Sequence, residues 1–304
     1  MKVLIFGSTG LVGNSLKKVL GDNNNFQLLT PSRKEVNLFN SKVVSNYIKK
    51  NNPNLIINAA AKVGGIHANN TYKTAFLTEN LKINLNILES CIDFPNIKII
   101  NLGSSCIYPL NAKNPIKESS LMTGKLEPTN SPYALAKITS IELGNALSSE
   151  YGHNIINLMP TNLYGPNDSF DPLNSHVIPG MIYRMHQGKK SKSFKIWGTG
   201  KPKREFLYSI DLAKSIEFII ENNINESLIN IGSGVEISTL NLAKKIGSVV
   251  GFQGEFTFDK SKPDGNPRKF LDSSKIFNLG WRPQIELDEG LSLTYKWFIK
   301  NFIK

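Results

Sequence analysis

Residues 2 to 6, Lys-Val-Leu-Ile-Phe, form an apolar run that passes directly into Gly7-Ser8-Thr9-Gly10-Leu11-Val12-Gly13 and then into a helical pattern carried by Leu16, Val19 and Leu20. Strand, glycine turn and helix in immediate succession constrain the fold more than any other stretch. Glycines let the backbone turn tightly and approach a pyrophosphate, and the helix N-terminus adds amides and a partial positive charge. Three glycines alone often mark only a tight turn. Placed between an N-terminal strand and a helix, residues 7 to 13 read as a dinucleotide cradle.

The run Phe26 to Thr30 reads as a second strand, ending where an adenosine ribose would lie. NAD-preferring sites commonly carry an acid there, bonded to the ribose hydroxyls. This chain continues Pro31-Ser32-Arg33-Lys34, and the Arg33 guanidinium suits a 2′-phosphate, so NADP is the expected cofactor. The alternation goes on with a helix over 43–48, a strand over 54–58, a long helical pattern, and strands ending at Leu102 and Met159. The segment holding Ala60 and Lys62 follows a strand end, where a cofactor can lie close. Asparagine is a poor helix-interior residue, so Asn80, Asn84 and Asn86 are expected to bond neighbouring loops as structural support.

This pattern predicts an α/β fold, a Rossmann-type doubly wound parallel sheet with a smaller C-terminal α/β substrate lobe. The first domain is expected over 1–165, with a later segment of about 205–232 returning to it, and 166–304 forms mainly the substrate lobe. Helices are expected over 178–187, 211–220, 240–250 and 291–299, short strands or turns near 196–198 and 203–207, and a basic turn-rich loop over 262–269.

The densest set of reactive side chains lies between Gly103 and Lys137. Ile97 to Leu102 reads as a buried strand, which puts Ser104 and Cys106 at its C-terminal end. Tyr133 and Lys137 stand four residues apart in a helix-forming run, one turn apart on one face. A strand-end serine beside a Tyr/Lys pair suits proton transfer at a carbonyl. The ammonium can favour the phenolate, and the serine can bond the same oxygen. Tyr108 precedes a proline and has no lysine four residues on, so it reads as structural.

Bulk properties exclude several classes. With 304 residues, 40% of them hydrophobic and 20% charged, the chain is an ordinary globular one. No apolar run reaches the roughly 18 residues of a membrane span, and the N-terminal run is too short for a secretory core, so a cytoplasmic location and no membrane partner are expected. Cys91 and Cys106 are no disulfide framework, and Cys91 reads as core. The net charge of +12 is spread along the chain in short lysine clusters. It reads as a solvated surface with attraction for a phosphorylated small molecule, and no nucleic-acid partner is expected.

With the glycine turn, the Ser104/Tyr133/Lys137 set and Asn162-Leu163-Tyr164-Gly165-Pro166 in view, the chain resembles the extended short-chain dehydrogenase/reductases. Ala60 to Ile66, Gly103 to Pro109, Asn174 to Pro179, Trp197 to Gly200 and Arg204 to Leu207 make it most similar to their NADPH-dependent 3,5-epimerase/4-reductases of GDP-4-keto-6-deoxy sugars. The resemblance spans essentially the whole chain and implies the following roles. Tyr133 protonates the C4 oxygen as hydride arrives from NADPH, Lys137 lowers the Tyr133 pKa and holds the nicotinamide ribose, and Ser104 bonds the same oxygen. Cys106 and His176 deprotonate and reprotonate C3 and C5, work that both side-chain types can do near neutral pH. Ser105, Asn162, Arg184, Trp197, Arg204 and Lys269 surround the GDP-linked 4-keto sugar, with Arg268 a competitor for the place of Lys269. No metal is implied, and a homodimer is, packed through helices near 80–92 and 133–151.

Two rivals stand beside this reading. One is a C4-reductase of a related GDP-4-keto sugar, such as a GDP-heptose, with little or no epimerisation. The other is a non-catalytic dinucleotide- or nucleic-acid-binding protein, which has no need of Ser104, Tyr133 and Lys137 together. The resemblance speaks against a 4,6-dehydratase, since those enzymes carry Asp-Glu after the catalytic Ser/Thr and this chain has Ser105-Cys106. One departure concerns the cofactor: Ser8-Thr9 replaces a basic residue that some relatives carry beside the glycine motif, which leaves more of the 2′-phosphate to Arg33.

Overall fold

Along residues 2 to 6 the side chains alternate between two buried surroundings. Val3 and Ile5 pack on one side with Leu16, Leu20 and Leu212, and Leu4 and Phe6 on the other with Val44, Ile83 and Ile87. A strand buried on both faces needs helices on both faces, which is the doubly wound arrangement. The computed structural model describes every residue except Pro263 and Lys304. In chain order the first half comprises β1 (Lys2–Phe6), α1 (Leu11–Gly21), β2 (Gln27–Leu29), α2 (Ser41–Asn51), β3 (Leu55–Asn58), α3 (Ile66–Thr71), α4 (Lys73–Glu89), β4 (Lys98–Leu102), α5 (Ser131–Tyr151) and β5 (Ile155–Pro160). Local chemistry sets these bounds. The Asn40 side chain accepts from Val43 N at 3.2 Å to open α2, Pro132 sits in the first turn of α5, and Gly152 ends α5 in the left-handed region at φ 75°.

The second half comprises β6 (Asn162–Tyr164), α6 (Val177–Gln187), β7 (Ser193–Trp197), β8 (Lys203–Tyr208), α7 (Ser209–Glu221), β9 (Leu228–Ile231), β10 (Glu236–Ser238), α8 (Thr239–Val250), β11 (Glu255–Asp259), β12 (Arg268–Lys269), α9 (Ser274–Asn278) and α10 (Leu287–Asn301). The main sheet runs β2-β1-β3-β4-β5-β9, with every pairing parallel. Its neighbours diverge at β1, with β2 on one side and β3 on the other, and a crevice at such a reversal is where nucleotides bind in open α/β sheets.

The chain returns to the first lobe through α7 and β9. Leu212, Ala213 and Ile216 of α7 join Leu16 and Leu20 of α1 in one core. β8, inside the segment expected to return, instead pairs with β6, β10 and β12 in a small separate sheet. A second core gathers Tyr164, Phe170, Ile178, Met181, Phe206, Leu242, Ile246, Leu291 and Phe298 around it. Two further differences concern the loops. The stretch after Pro160, to which the sequence assigns no element, forms β6. The turn-rich loop over 262–269 ends in β12, paired in parallel with Lys203 and Arg204, while its Pro263 lies outside the described residues.

Beneath the site runs a buried amide ladder. Asn58, Asn101 and Asn157 lie in register on β3, β4 and β5. Asn58 Nδ2 donates to Asn101 Oδ1 at 3.2 Å and Asn101 Nδ2 to Asn157 Oδ1 at 3.1 Å. Asn101 Nδ2 also reaches Ser140 Oγ on α5 at 2.8 Å, and Asn84 of α4 donates to the Ala136 carbonyl at 3.4 Å. A satisfied buried network fixes orientation, because breaking it leaves amides without partners in a dry interior. Here it fixes α5 against the strand ends. Asn80 and Asn86 behave as the sequence predicts: Asn80 brackets Lys62 through both its backbone groups, and Asn86 donates to the Leu38 carbonyl at 2.7 Å.

Candidate active site

Strand β4 ends at Leu102, and after Gly103 the chain turns through Ser104 into a single 3₁₀ turn over Ser105–Ile107. A Cβ at Gly103 would meet the flexible tip of the Met159 side chain, which would have to move aside. α5 crosses the same strand end and brings Tyr133 and Lys137 to it. Lys137 is only 2% exposed, and its ammonium donates to the Leu102 carbonyl at 2.7 Å. It lies 5.9 Å from the centre of the Tyr133 ring. Burial draws its pKa down to about 8. Burial also holds the Tyr133 phenol well above its ordinary value; the nearby Cys106 sulfur adds to this, and a hydrogen bond from Ser104 opposes it. The lowering contribution at Tyr133 thus comes from Ser104, while Lys137 is spent on the backbone. A phenol held protonated is in the form a general acid requires.

Cys106 is half-buried at the same end. Its amide donates to Ser104 Oγ at 3.2 Å, and its sulfur is approached by Asn130 Nδ2 at 3.5 Å and by Lys269 Nζ at 3.7 Å. Arg204 lies near enough for Cys106 to influence its pKa. Between the two basic candidates in β12 the structure makes a division: Lys269 turns toward Cys106, and Arg268 pairs with Glu236 at 2.7 Å. Burial lowers the Arg204 pKa, with Cys106, Asp264 and Glu127 opposing, and its Nη2 reaches the Asp264 carbonyl at 3.5 Å. The Asp264 side chain in turn holds the turn after β7 by accepting from Thr199 N at 2.7 Å.

β7 ends just before that turn at Trp197, which is 43% exposed. The Arg184 guanidinium sits 4.9 Å from its indole and 5.0 Å from the Phe194 ring, so Arg184 and Trp197 form one flat, cationic and aromatic surface. His176 stands at the start of α6, with Nδ1 4.0 Å from Asp168 Oδ1. The loop just before it is tied to the first lobe, because Gly65 N donates to the Asn174 carbonyl at 2.8 Å.

Other candidates are committed elsewhere. Ser105 is buried behind the turn. Asn162 Nδ2 donates to the Glu205 carbonyl at 2.9 Å, and Lys62 pairs with Glu79 at 2.9 Å. Sequence reasoning missed Asn130 and Asp168. Asp168 Oδ2 and Asn130 Oδ1 are both buried without a partner, the first beside His176 and the second beside Cys106. Asn130 closes the run 126–130, one of the stretches that carry the resemblance, but no role attached to it there, and Asp168 lies in no such stretch; the folded distances single both out.

The glycine turn fits a dinucleotide. A Cβ at Gly7 would lie 2.6 Å from Ala60 N, and one at Gly13 would run into the Gly7 carbonyl, so both positions are closed to larger residues. A Cβ at Gly10 would make only ordinary contact with the Gly7 carbonyl at 3.7 Å, and the N-terminus of α1 carries no side-chain cap, which leaves its amides for a phosphate. Ser8 and Thr9 lie in that turn, Leu11 and Val12 begin the helix, and Ala60 closes against it. Past β2, Glu35 accepts from Ser32 N at 2.7 Å, and Arg33 is exposed, its guanidinium 5.3 Å from the centre of the Phe39 ring.

Fold and site together define a dinucleotide-dependent enzyme working at a carbonyl. Residues 3–232 match the NAD dependent epimerase/dehydratase family, and the chain belongs to it. GDP-L-fucose synthase 1 of Arabidopsis thaliana is 44% identical over 302 residues, 99% of this chain and 94% of that one. A GDP-6-OMe-4-keto-L-xylo-heptose reductase from C. jejuni superposes with a TM-score of 0.92 at 31% identity, covering 98% of this chain and 97% of that one. A GDP-L-fucose synthetase from Naegleria fowleri bound to NADP gives 0.89 at 27% identity, covering 99% and 94%.

Proposed function

We propose that the protein converts GDP-4-keto-6-deoxy-D-mannose to GDP-L-fucose, by 3,5-epimerisation followed by NADPH-dependent 4-reduction. The observation that carries this reading is a thiol, Cys106, set two residues from Ser104 and approached by the Lys269 ammonium. A plain reductase has no use for such a group. Carbons beside the C4 ketone lose protons readily only if the C4 enolate is stabilised, and Ser104 and Tyr133 supply donors at that oxygen. Cys106 and His176 then carry protons to and from C3 and C5. Afterwards Tyr133, held protonated, gives its proton to the C4 oxygen, and the bound nicotinamide supplies the hydride. Lys137 positions the nicotinamide ribose, Arg33 takes the 2′-phosphate, and the Arg184/Trp197 surface with Arg204 takes the GDP moiety.

The similarity to the C. jejuni heptose reductase supports a second reading, in which hydride transfer persists with little epimerisation. A homodimer accompanies the main reading. Leu77, Leu81 and Leu85 are only partly buried along α4 and Leu135 is exposed on α5, which leaves apolar side chains on the layer these two helices form. Two unpaired cysteines accord with a cytoplasmic location.

Cys106→Ser tests the reading. It should abolish conversion of the unepimerised keto sugar, while reduction of the already epimerised keto sugar by NADPH stays near the native rate. Equal loss of both would reject the division of labour.

A further inference from the structure

The buried amide of Asn130 is not explained by the roles above. It precedes α5, three residues before Tyr133, yet its side chain makes no cap to that helix. Nδ2 instead donates to Cys106 Sγ at 3.5 Å, and Oδ1 is left buried with no donor. Leaving a buried carbonyl oxygen unpaired costs about 1–3 kcal/mol, so the sulfur contact sets the orientation of this amide. The backbone beneath it is fixed, since Glu127 Oε2 accepts from Thr129 N at 3.1 Å and from Asn130 N at 3.2 Å. Lys269 Nζ reaches the same sulfur from β12, in the other lobe, at 3.7 Å.

We propose that Asn130 is a positioning residue for Cys106: its amide donates to the sulfur and holds it beside Tyr133. The sulfur is then served by two donors from different lobes, one a neutral amide at the head of α5, the other the Lys269 ammonium of β12. Its consequence for catalysis rests on the reading of Cys106 as a proton carrier; the contact itself does not.

Alkylation by iodoacetamide reads the contact directly, because the ionised sulfur is the nucleophile and the only other thiol, Cys91, is fully buried. Asn130→Ala should slow Cys106 alkylation at neutral pH about tenfold, the effect of one hydrogen bond to a charged group. Asn130→Ser, which keeps a small polar side chain at the head of α5 but cannot reach the sulfur, should slow it equally. A native or faster rate in both variants overturns the proposal, and so does a native rate in the serine variant alone, which would assign the effect to the polarity of the side chain at the head of α5. Proton exchange at C3 and C5 should fall in step with alkylation, while reduction of the epimerised sugar holds. Slow alkylation with native exchange would leave the contact standing and overturn the role given to Cys106.

Discussion

Lys137→Met is the substitution whose consequence follows most fully from the structure. The ammonium is buried, its hydrogen bond goes to the Leu102 carbonyl, and burial draws its pKa from an ordinary 10.5 to about 8. Below pH 8 the group is charged in both the folded and the unfolded chain, and folding bears the full cost of desolvating it. Between about 8 and 10.5 the folded chain has released the proton while the unfolded chain still holds it. The unfolded state binds more protons, so stability rises with pH through that window. The rise amounts to about 3 kcal/mol, at roughly 1.4 kcal/mol per pH unit.

Methionine fills a similar volume without the charge. The variant should therefore exceed the native protein in stability at neutral pH by about 2 kcal/mol, once roughly 1 kcal/mol is allowed for the lost hydrogen bond. By about pH 10 the native protein should have closed the gap. Cys91, raised to about 12, and Tyr208, also raised to about 12, act in the opposite sense, since a raised folded pKa loses stability as pH climbs past the unfolded value. Both are common to the two proteins and cancel in the difference. Urea denaturation of both proteins at neutral pH and near pH 10 measures it. A stability difference that stays constant with pH would refute the assignment of an uncompensated buried charge. The variant should also lose hydride transfer, because a charge kept at a cost in stability marks a site shaped for function.

Two further outcomes are expected. Arg33→Ala should weaken NADPH binding about tenfold and leave NADH binding unchanged, read by nicotinamide fluorescence, as removal of one exposed charge-assisted contact to a 2′-phosphate predicts; equal weakening of both would place Arg33 outside the cofactor site. Asp168→Asn should leave thermal stability level or raised, because an unpaired buried carboxylate oxygen is a liability, and should cut C3/C5 proton exchange about tenfold by withdrawing the charge beside His176. Native exchange rates in this variant would separate Asp168 from the chemistry.

The fold was legible where side-chain period and glycine chemistry agree. The unbroken apolar run Val3, Leu4, Ile5 and Phe6, followed at once by the glycine turn, reads as a strand leading into a close helix, and the structure buries it on both faces. The Ser104/Tyr133/Lys137 constellation was legible because a strand end and a helical spacing of four bring those three residues together. Other features depend on contacts between distant segments, which periodicity does not carry. β6 leaves the main sheet because its partner, β8, lies more than forty residues on. The choice between Arg268 and Lys269 is made by Glu236 on β10, which draws Arg268 away. Asn130 and Asp168 have no distinguishing spacing, and they emerge only as amide and carboxylate oxygens buried without partners beside Cys106 and His176.

The central claim is that one site both epimerises and reduces, and solvent isotope incorporation tests it most directly. The native protein, given NADPH and GDP-4-keto-6-deoxy-D-mannose in deuterated water, should oxidise NADPH and yield a product carrying solvent deuterium at C3 and C5. NADPH oxidation with protium retained at both carbons would contradict the claim and leave a plain 4-reductase.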